Sequence, residues 1–395
     1  MTSFSVRKTV WSLTPMVIAL ALAMDIYIPA VPSMSLLFHV SPGEMQLTLS
    51  LFMLACSVTQ LIIGPLSDQY GRRPIGIVSI AIFALGSFLC ANSTSTIQLI
   101  LYRVVQAVGS VGMLVVSFAT IRDLYHGEKS GKTYSYLNGI IALSPMFAPS
   151  LGSYLDIHFG WQATFLFLLI TSLWAVLSVL LAVPESLPKN KRVPLNVHTF
   201  CEYKSIFINQ IFFTYTLATA IGLSYLFVFC SISPYIIIRL LNISESYYGY
   251  YFAFMGVSFF IGSLFSSYFI GKIGIYGTVV LGFWISLIGG IMMIIWYLST
   301  GLTINSFIYP MLLVGVGGTF SLGAGVGGAM EPFESTAGAA TALGGSFRCL
   351  FSAIIGTMIV AKNISSVLPL ALSAIFFSTI GLILFLIRKE TLSLP

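Results

Sequence analysis

Apolar runs long enough to cross a lipid bilayer recur along almost all of this 395-residue chain. A helix needs about 20 apolar residues to span a ~30 Å hydrocarbon core. Runs of that length fall at 10–37, 43–65, 74–92, 97–120, 133–155 and 161–183, and again at 206–231, 247–270, 276–298, 303–329, 337–361 and 367–387. Pro, Gly or charge punctuates them, as in PLSDQYGRRP, YHGEKSGK and MEPFES. Charged residues are 8% of the chain, against about 25% in soluble domains, and the mean hydropathy is +0.97. Lipid, not water, is the solvent for most of such a surface. The fold class expected is an all-α membrane protein of about twelve transmembrane helices.

The distribution of Lys and Arg supports the even count. One set of alternate loops, with both chain ends, carries Arg7, Lys8, Arg72, Arg73, Arg122, Lys129, Lys132, Lys189, Lys191, Arg192, Lys204, Lys272, Arg388 and Lys389. The other set carries only Arg239 and Lys362. Cytoplasmic loops are the basic ones, so both termini and the loop 184–205 are expected in the cytoplasm. That loop is the longest polar stretch and divides the spans into two six-helix pseudo-repeats, 1–183 and 206–395, with 184–205 as a linker. Paired halves around a midplane cavity are a common transporter plan. Arg7 and Lys8 followed by an apolar run resemble a secretion signal, but the run continues past Ala23 without a polar start. It reads as a retained first helix.

Other classes are disfavoured. The stretch 127–133 places three residues between its glycines where a P-loop needs four. Gly323-Ala-Gly325-Val-Gly-Gly328 matches a dinucleotide fingerprint but lies in an apolar run without a strand before it. No cofactor is expected, and the energy source should be an ion gradient. The five cysteines show no CxxC spacing and the four histidines form no cluster, so no metal site is expected. The net charge of +6 is spread over loops, which argues against nucleic acid. A membrane-embedded lipid enzyme would need a catalytic His, Asp or Glu cluster near an interface, and none appears.

Three charged residues sit well inside apolar runs: Asp25, Arg103 and Arg348. Each costs at least about 2.5–3.5 kcal/mol on insertion scales and marks a pathway or a pair by default. Asp25 and Arg103 lie at similar depths, about 12 and 9 Å below the outer ends of their helices at 1.5 Å per residue. They are placed to pair or to share a network. A dry site favours the neutral carboxyl and a nearby guanidinium favours the charged form, so a changing pocket would load and release protons. Arg348 lies near the midplane, while Glu331 and Glu334 belong to a loop. Attraction for an anionic substrate group and pairing with Asp25 both remain open for it. Tyr27, Gln46, Gln60, Asn138, Ser144 and Tyr225 are polar candidates for a cavity lining. Tyr247, Tyr248, Tyr250 and Tyr251 read as an interfacial aromatic belt.

Several motifs resemble those of the major facilitator superfamily. Gly64-Pro-Leu-Ser-Asp68-Gln-Tyr-Gly71-Arg72-Arg73 is similar to its signature between the second and third helices. The resemblance makes Gly64, Asp68, Gly71, Arg72 and Arg73 a cytoplasmic latch. Arg103-Val-Val-Gln106-Ala-Val-Gly109 resembles its fourth-helix motif, associated with proton coupling, with Ala107 where glycine is usual. Pro145, Pro149 and Gly152 resemble the fifth-helix motif of antiporters, with Ala148 and Ser153 as departures. Met24-Asp25-Ile-Tyr27-Ile-Pro29-Ala30-Val-Pro32, with Gly160-Trp161, is similar to the Bcr/CflA branch of drug:proton antiporters. The resemblance implies the major facilitator fold in a bacterial cytoplasmic membrane. It also implies a monomer whose partners are lipid, protons and a small organic substrate. Asp25 and Arg103 become the proton-coupling pair of an exporter working by alternating access. Arg348 departs from the neutral polar residue expected, which raises export of an anionic metabolite or siderophore. A substrate:proton importer of the same fold is the nearest rival.

Overall fold

A computed structural model describes residues 6–125, 127–192, 197–333, 336–360 and 366–388. His126, Glu334, Lys362 and Lys389 lie outside the described residues. The described chain is helical throughout, with no β-strand. In the first half, α1 (Val6–Asp25) and α2 (Val31–Leu37) flank a single 3₁₀ turn, Ile28–Ala30. They are followed by α3 (Pro42–Tyr70), α4 (Arg72–Ala91), α5 (Thr96–Leu124), α6 (Gly127–Phe159) and α7 (Gln162–Ala182). A short helix α8 (Val197–Ile208) precedes α9 (Gln210–Pro234), which runs on as a π turn, Tyr235–Leu240. The chain then forms α10 (Glu245–Thr300), α11 (Ile304–Met330), α12 (Ala337–Val360) and α13 (Leu368–Ile387). Eleven helices among the described residues are long and apolar enough to cross a membrane. One of them, α10, is two crossings joined at Gly274, whose φ of 73° interrupts the helix, so the crossings number twelve.

Helix starts follow local chemistry. Ser41 Oγ accepts from the Glu44 amide while the Glu44 carboxylate accepts from the Ser41 amide, a reciprocal cap that opens α3. Ser95, Asn209 and Thr303 cap α5, α9 and α11 in the same sense. Each cap satisfies backbone donors that would otherwise lack partners at the end of a span.

The first apolar run departs most from expectation, because it is not one helix. Pro29 and Pro32 have no amide hydrogen to give to the carbonyls four residues earlier. The last α-helical bond is Ile26 N–H to the Leu22 carbonyl at 3.0 Å, and a tighter Ala30-to-Tyr27 bond follows. Two other runs extend further than expected. The fifth begins at Gly127 and ends at Phe159, and the seventh continues through Pro234 to Leu240.

Burial falls into two apolar clusters. One is drawn from residues 13–183 with Phe227, Tyr235 and Ala353, the other from residues 206–385 with Ile28. Within the first, α4 and α5 cross with backbone touching backbone. A methyl on Gly86 would sit 2.6 Å from Gln106 Cα, and one on Gly109 would sit 2.6 Å from Phe83 Cα. Between the clusters, α6 packs on α10 and α3 on α12. Gly249 of α10 lies against Ser150 and Gly256 against Met146, with 2.7 Å left for a methyl in both cases. Small residues allow such close approach in membranes.

Replacing Gly109 by Val wedges a branched side chain into the Phe83 backbone. Overpacking of this kind costs about 1–3 kcal/mol. Thermal unfolding of the detergent-solubilised variant should shift clearly downward, whereas Gly131→Ala, with open space around it, should leave it unchanged.

Candidate functional site

The break in the first span leaves the Ala23 carbonyl without its helical donor, and Arg103 of α5 takes that place. Arg103 is fully buried. Its Nη1 donates to the Ala23 carbonyl at 2.8 Å and to Gln106 Oε1 at 2.6 Å. Gln106 in turn donates to Ser87 Oγ at 2.8 Å. The guanidinium carbon lies 4.4 Å from the Tyr27 ring centroid and 4.1 Å from that of Phe52, with Phe165 at 6.0 Å. Such desolvated cation–π contacts are worth about 2 kcal/mol. Nε and Nη2 have no hydrogen-bond partner among the described residues.

Asp25 ends α1 and is 6% exposed. Its Oδ2 accepts from Ser144 Oγ of α6 at 3.4 Å. Cys230 and Tyr248, from the other cluster, lie within electrostatic reach of the carboxyl. No ion pair joins Asp25 to Arg103 or to Arg348 among the described residues. Of the two arrangements open to Asp25 and Arg103, a direct pair or a shared network, the direct pair is not made among the described residues. Arg103 engages the backbone of the broken turn, and Asp25 at the same turn reaches α6 instead.

The fifth-helix motif meets this turn directly. Pro145 and Pro149 lie within α6, and Gly152 rests on the Ile26 carbonyl so closely that any Cβ would overlap its oxygen. The same helix carries Ser144 to Asp25, and Met146 and Ser150 to the glycines of α10. One helix thus touches the buried carboxyl, the broken backbone and the opposite cluster. Gly249 and Gly256 were not legible beforehand, although their seven-residue spacing on one helix face was the available signal.

The other polar candidates separate. Tyr27 is buried with its hydroxyl 2.8 Å from Thr48 Oγ1, so it packs under Arg103 and does not line a cavity. The Tyr225 hydroxyl lies 2.7 Å from Ser378 Oγ, inside the second cluster. Asn138 is exposed. Tyr248, assigned to the aromatic belt, is instead fully buried and 2.8 Å from Ser233 Oγ, whereas Tyr247 and Tyr250 are exposed. Gln46 and Gln60 of α3 lie on the seam with the second cluster. Gln46 donates to Ser231 Oγ at 2.6 Å, and Gln60 reaches Cys349 Sγ at 3.8 Å. Ser57 and Ser346 join α3 to α12 at 3.0 Å. Arg239 Nη2 donates to the Pro32 carbonyl at 3.1 Å. Arg348 is partly buried and has no hydrogen bond or ion pair among the described residues.

The signature between α3 and α4 is a charge cluster. Gly71, with φ of 103°, turns the chain between the two helices. Arg72 meets Asp68 at 2.5 Å and Asp123 of α5 at 2.9 Å, and its Nη1 donates to Ser67 Oγ at 2.5 Å. Glu185 accepts from the Arg72 and Arg73 amides at 3.0 and 3.3 Å, capping α4 with negative charge. Arg73 does not join Asp68. Its Nη2 donates to the Leu180 carbonyl at the end of α7, a separation set by Gly71 and the opening turn of α4. Gly64 has open space around it. Asp123, near the end of α5, and Glu185, in the loop after α7, complete the cluster.

Twelve apolar crossings among the described residues, charge clustered at one rim and ionisable groups buried at depth define a polytopic membrane protein. The chain belongs to the Major Facilitator Superfamily, whose description matches residues 13–357. It is 30% identical to a chloramphenicol resistance protein of Pseudomonas aeruginosa, over 93% of this chain and 85% of that one. It is 28% identical to multidrug resistance protein D of Escherichia coli (strain K12), over 85% and 84% of the two chains. A bicyclomycin resistance protein homolog of Haemophilus influenzae (strain ATCC 51907 / DSM 11121 / KW20 / Rd) is 26% identical over 88% and 87%. In fold the chain is similar to a D-xylose-proton symporter, at TM-score 0.75 and 15% identity over 98% and 97% of the two chains.

Asp123→Asn leaves Arg72 with one carboxylate. Hydrogen bonds to charged groups are worth about 1.5–3 kcal/mol, and a loss of that size should appear in denaturant unfolding. Amide exchange should speed up within residues 67–73.

Proposed function

We propose that this chain is a proton-coupled exporter of small organic molecules, taking up protons as substrate leaves. We place it in a bacterial cytoplasmic membrane with both termini in the cytoplasm. The resistance proteins it resembles over most of its length support export, and the Bcr/CflA-like motifs around Asp25 support the branch. The observation that carries the coupling is Asp25 itself, buried at the broken turn between the two clusters, with Ser144 as its one hydrogen-bond partner among the described residues.

The mechanism follows from what each protonation state requires. A neutral Asp25 is compatible with the dry site and a single hydroxyl donor. A charged Asp25 there demands a cation or several donors. The unpartnered Nε and Nη2 of Arg103 are donors anchored to the same turn. Bringing carboxylate and guanidinium together requires Arg103 to loosen its hold on the Ala23 carbonyl and residues 26–30 to shift. Gly152 rests on Ile26, so α6 shifts with them, and α10 feels the change through Gly249 and Gly256. Proton uptake and release thereby bias the rocking of the two halves, and the Asp68–Arg72–Asp123 cluster holds the cytoplasmic rim of the first half rigid during it. Alternating access then exchanges proton for substrate across one cavity.

Asp25→Asn removes the titration and keeps the shape. We expect the variant to purify as folded protein and to lose transport driven by a proton gradient. Across a panel of neutral, cationic and anionic compounds, those that bind should trigger proton release from detergent-solubilised wild type and none from the variant. Equal release from both, or equal gradient-driven transport by both, would contradict the proposal.

A further inference from the structure

The mechanism above makes no use of Arg348, although a cation at this depth is costly to leave without a partner. It lies about 16 Å along α12 from its cytoplasmic start at 1.5 Å per residue. No described carboxylate lies within ion-pair distance of it. What surrounds the guanidinium is neutral and polar. A methyl group built on Gly344 would stand 4.0 Å from Arg348 Nη1, 3.9 Å from Thr216 Oγ1 and 3.8 Å from Phe212 Cζ. These are ordinary contact distances, so the guanidinium, a hydroxyl and an aromatic edge converge on the missing side chain of Gly344, around a gap the size of one methyl group. Thr216 is 2% exposed and its hydroxyl has no partner among the described residues. On the other side, the Gln60 amide of α3 covers Gly345, with Arg348 Nη2 3.5 Å from the same point. Three helices, α3, α9 and α12, therefore bring a cation and two neutral polar groups to one place on the seam between the clusters.

We infer that Arg348, Thr216 and Gln60 form a binding site for the carboxylate of an amphiphilic organic acid, making organic anions or zwitterions the substrate class of this exporter. The inference rests on the export reading and names its substrate. One guanidinium balances one carboxylate, and its fork suits the planar two-oxygen group. The Thr216 hydroxyl supplies a further donor and the Phe212 edge an apolar wall for the rest of the molecule. The bare glycines matter because a side chain at residue 344 would occupy the space the ligand needs.

The test is binding at fixed pH 7.5, without a proton gradient, by full-length protein in detergent. The probes are aromatic carboxylates, nalidixate and 4-phenylbutyrate, each paired with its methyl ester. Wild type should prefer each acid over its ester. Arg348→Gln should weaken binding of the acid by about 10–100-fold, the range for a hydrogen bond to a charged group, and leave the ester unaffected. Arg348→Lys should keep the order of preference, and Thr216→Val should weaken the acid alone. Equal or stronger binding of the esters, no binding by any acid, or an unchanged preference in Arg348→Gln would overturn the proposal. The preference should also persist in Asp25→Asn, so a failure of proton coupling and a failure of this site give different results.

Discussion

A helix broken inside a membrane must find partners for the backbone groups the break releases, and much of this molecule is arranged around that requirement. Water is absent at that depth, so each freed carbonyl needs a donor from the protein. Pro29 and Pro32 have no amide hydrogen for the Asp25 and Ile28 carbonyls, and Arg103 donates to the Ala23 carbonyl just before the break. The arginine is itself expensive to bury, and the rings of Tyr27 and Phe52 offset part of that cost. Gln106 and Ser87 then tie it to α4. A side chain that would otherwise be read as half of an ion pair is thus first a structural donor, with two nitrogens left over.

Next to this turn the two clusters of the fold meet along α6 and α10. Gly152 allows α6 to lie on the Ile26 carbonyl, and Gly249 and Gly256 allow α10 to lie on α6. Packed interfaces of this closeness shift between discrete arrangements and do not deform smoothly. A change of charge at Asp25 is therefore placed where a small backbone movement is passed on. Farther along the seam, α3 and α12 touch through Ser57–Ser346 and Gln60–Cys349, beside Arg348. Proton site and proposed ligand site lie on one seam without sharing a side chain.

The fold was readable in the sequence because lipid imposes it: apolar runs, their length and the even count leave few alternatives. The signature at 64–73 also showed its charges, but not their pairing, since Asp123 on α5 and Glu185 in the loop after α7 approach from more than 50 residues away in the chain. Asp25 and Arg103 were visible as charges out of place. Their separation was not, because depth along a helix says nothing about which way a side chain turns once the helix is broken. Tyr27 and Tyr225 looked like cavity residues for their hydroxyls, which Thr48 and Ser378 occupy. The glycines of α10 carry no charge and no motif, so their part in the seam emerged only from packing.

The account's central claim is that the charge on Asp25 sets how the two halves pack. Spin labels at Gly131→Cys and Thr341→Cys, both exposed and on opposite halves, would report it by distance measurement across a pH series, with the native cysteines replaced. The account predicts that the distance distribution of the protein with Asp25 intact shifts as pH falls, and that Asp25→Asn holds the low-pH distribution at every pH. A pH-dependent shift that persists unchanged in Asp25→Asn, or no shift in either protein, would contradict it.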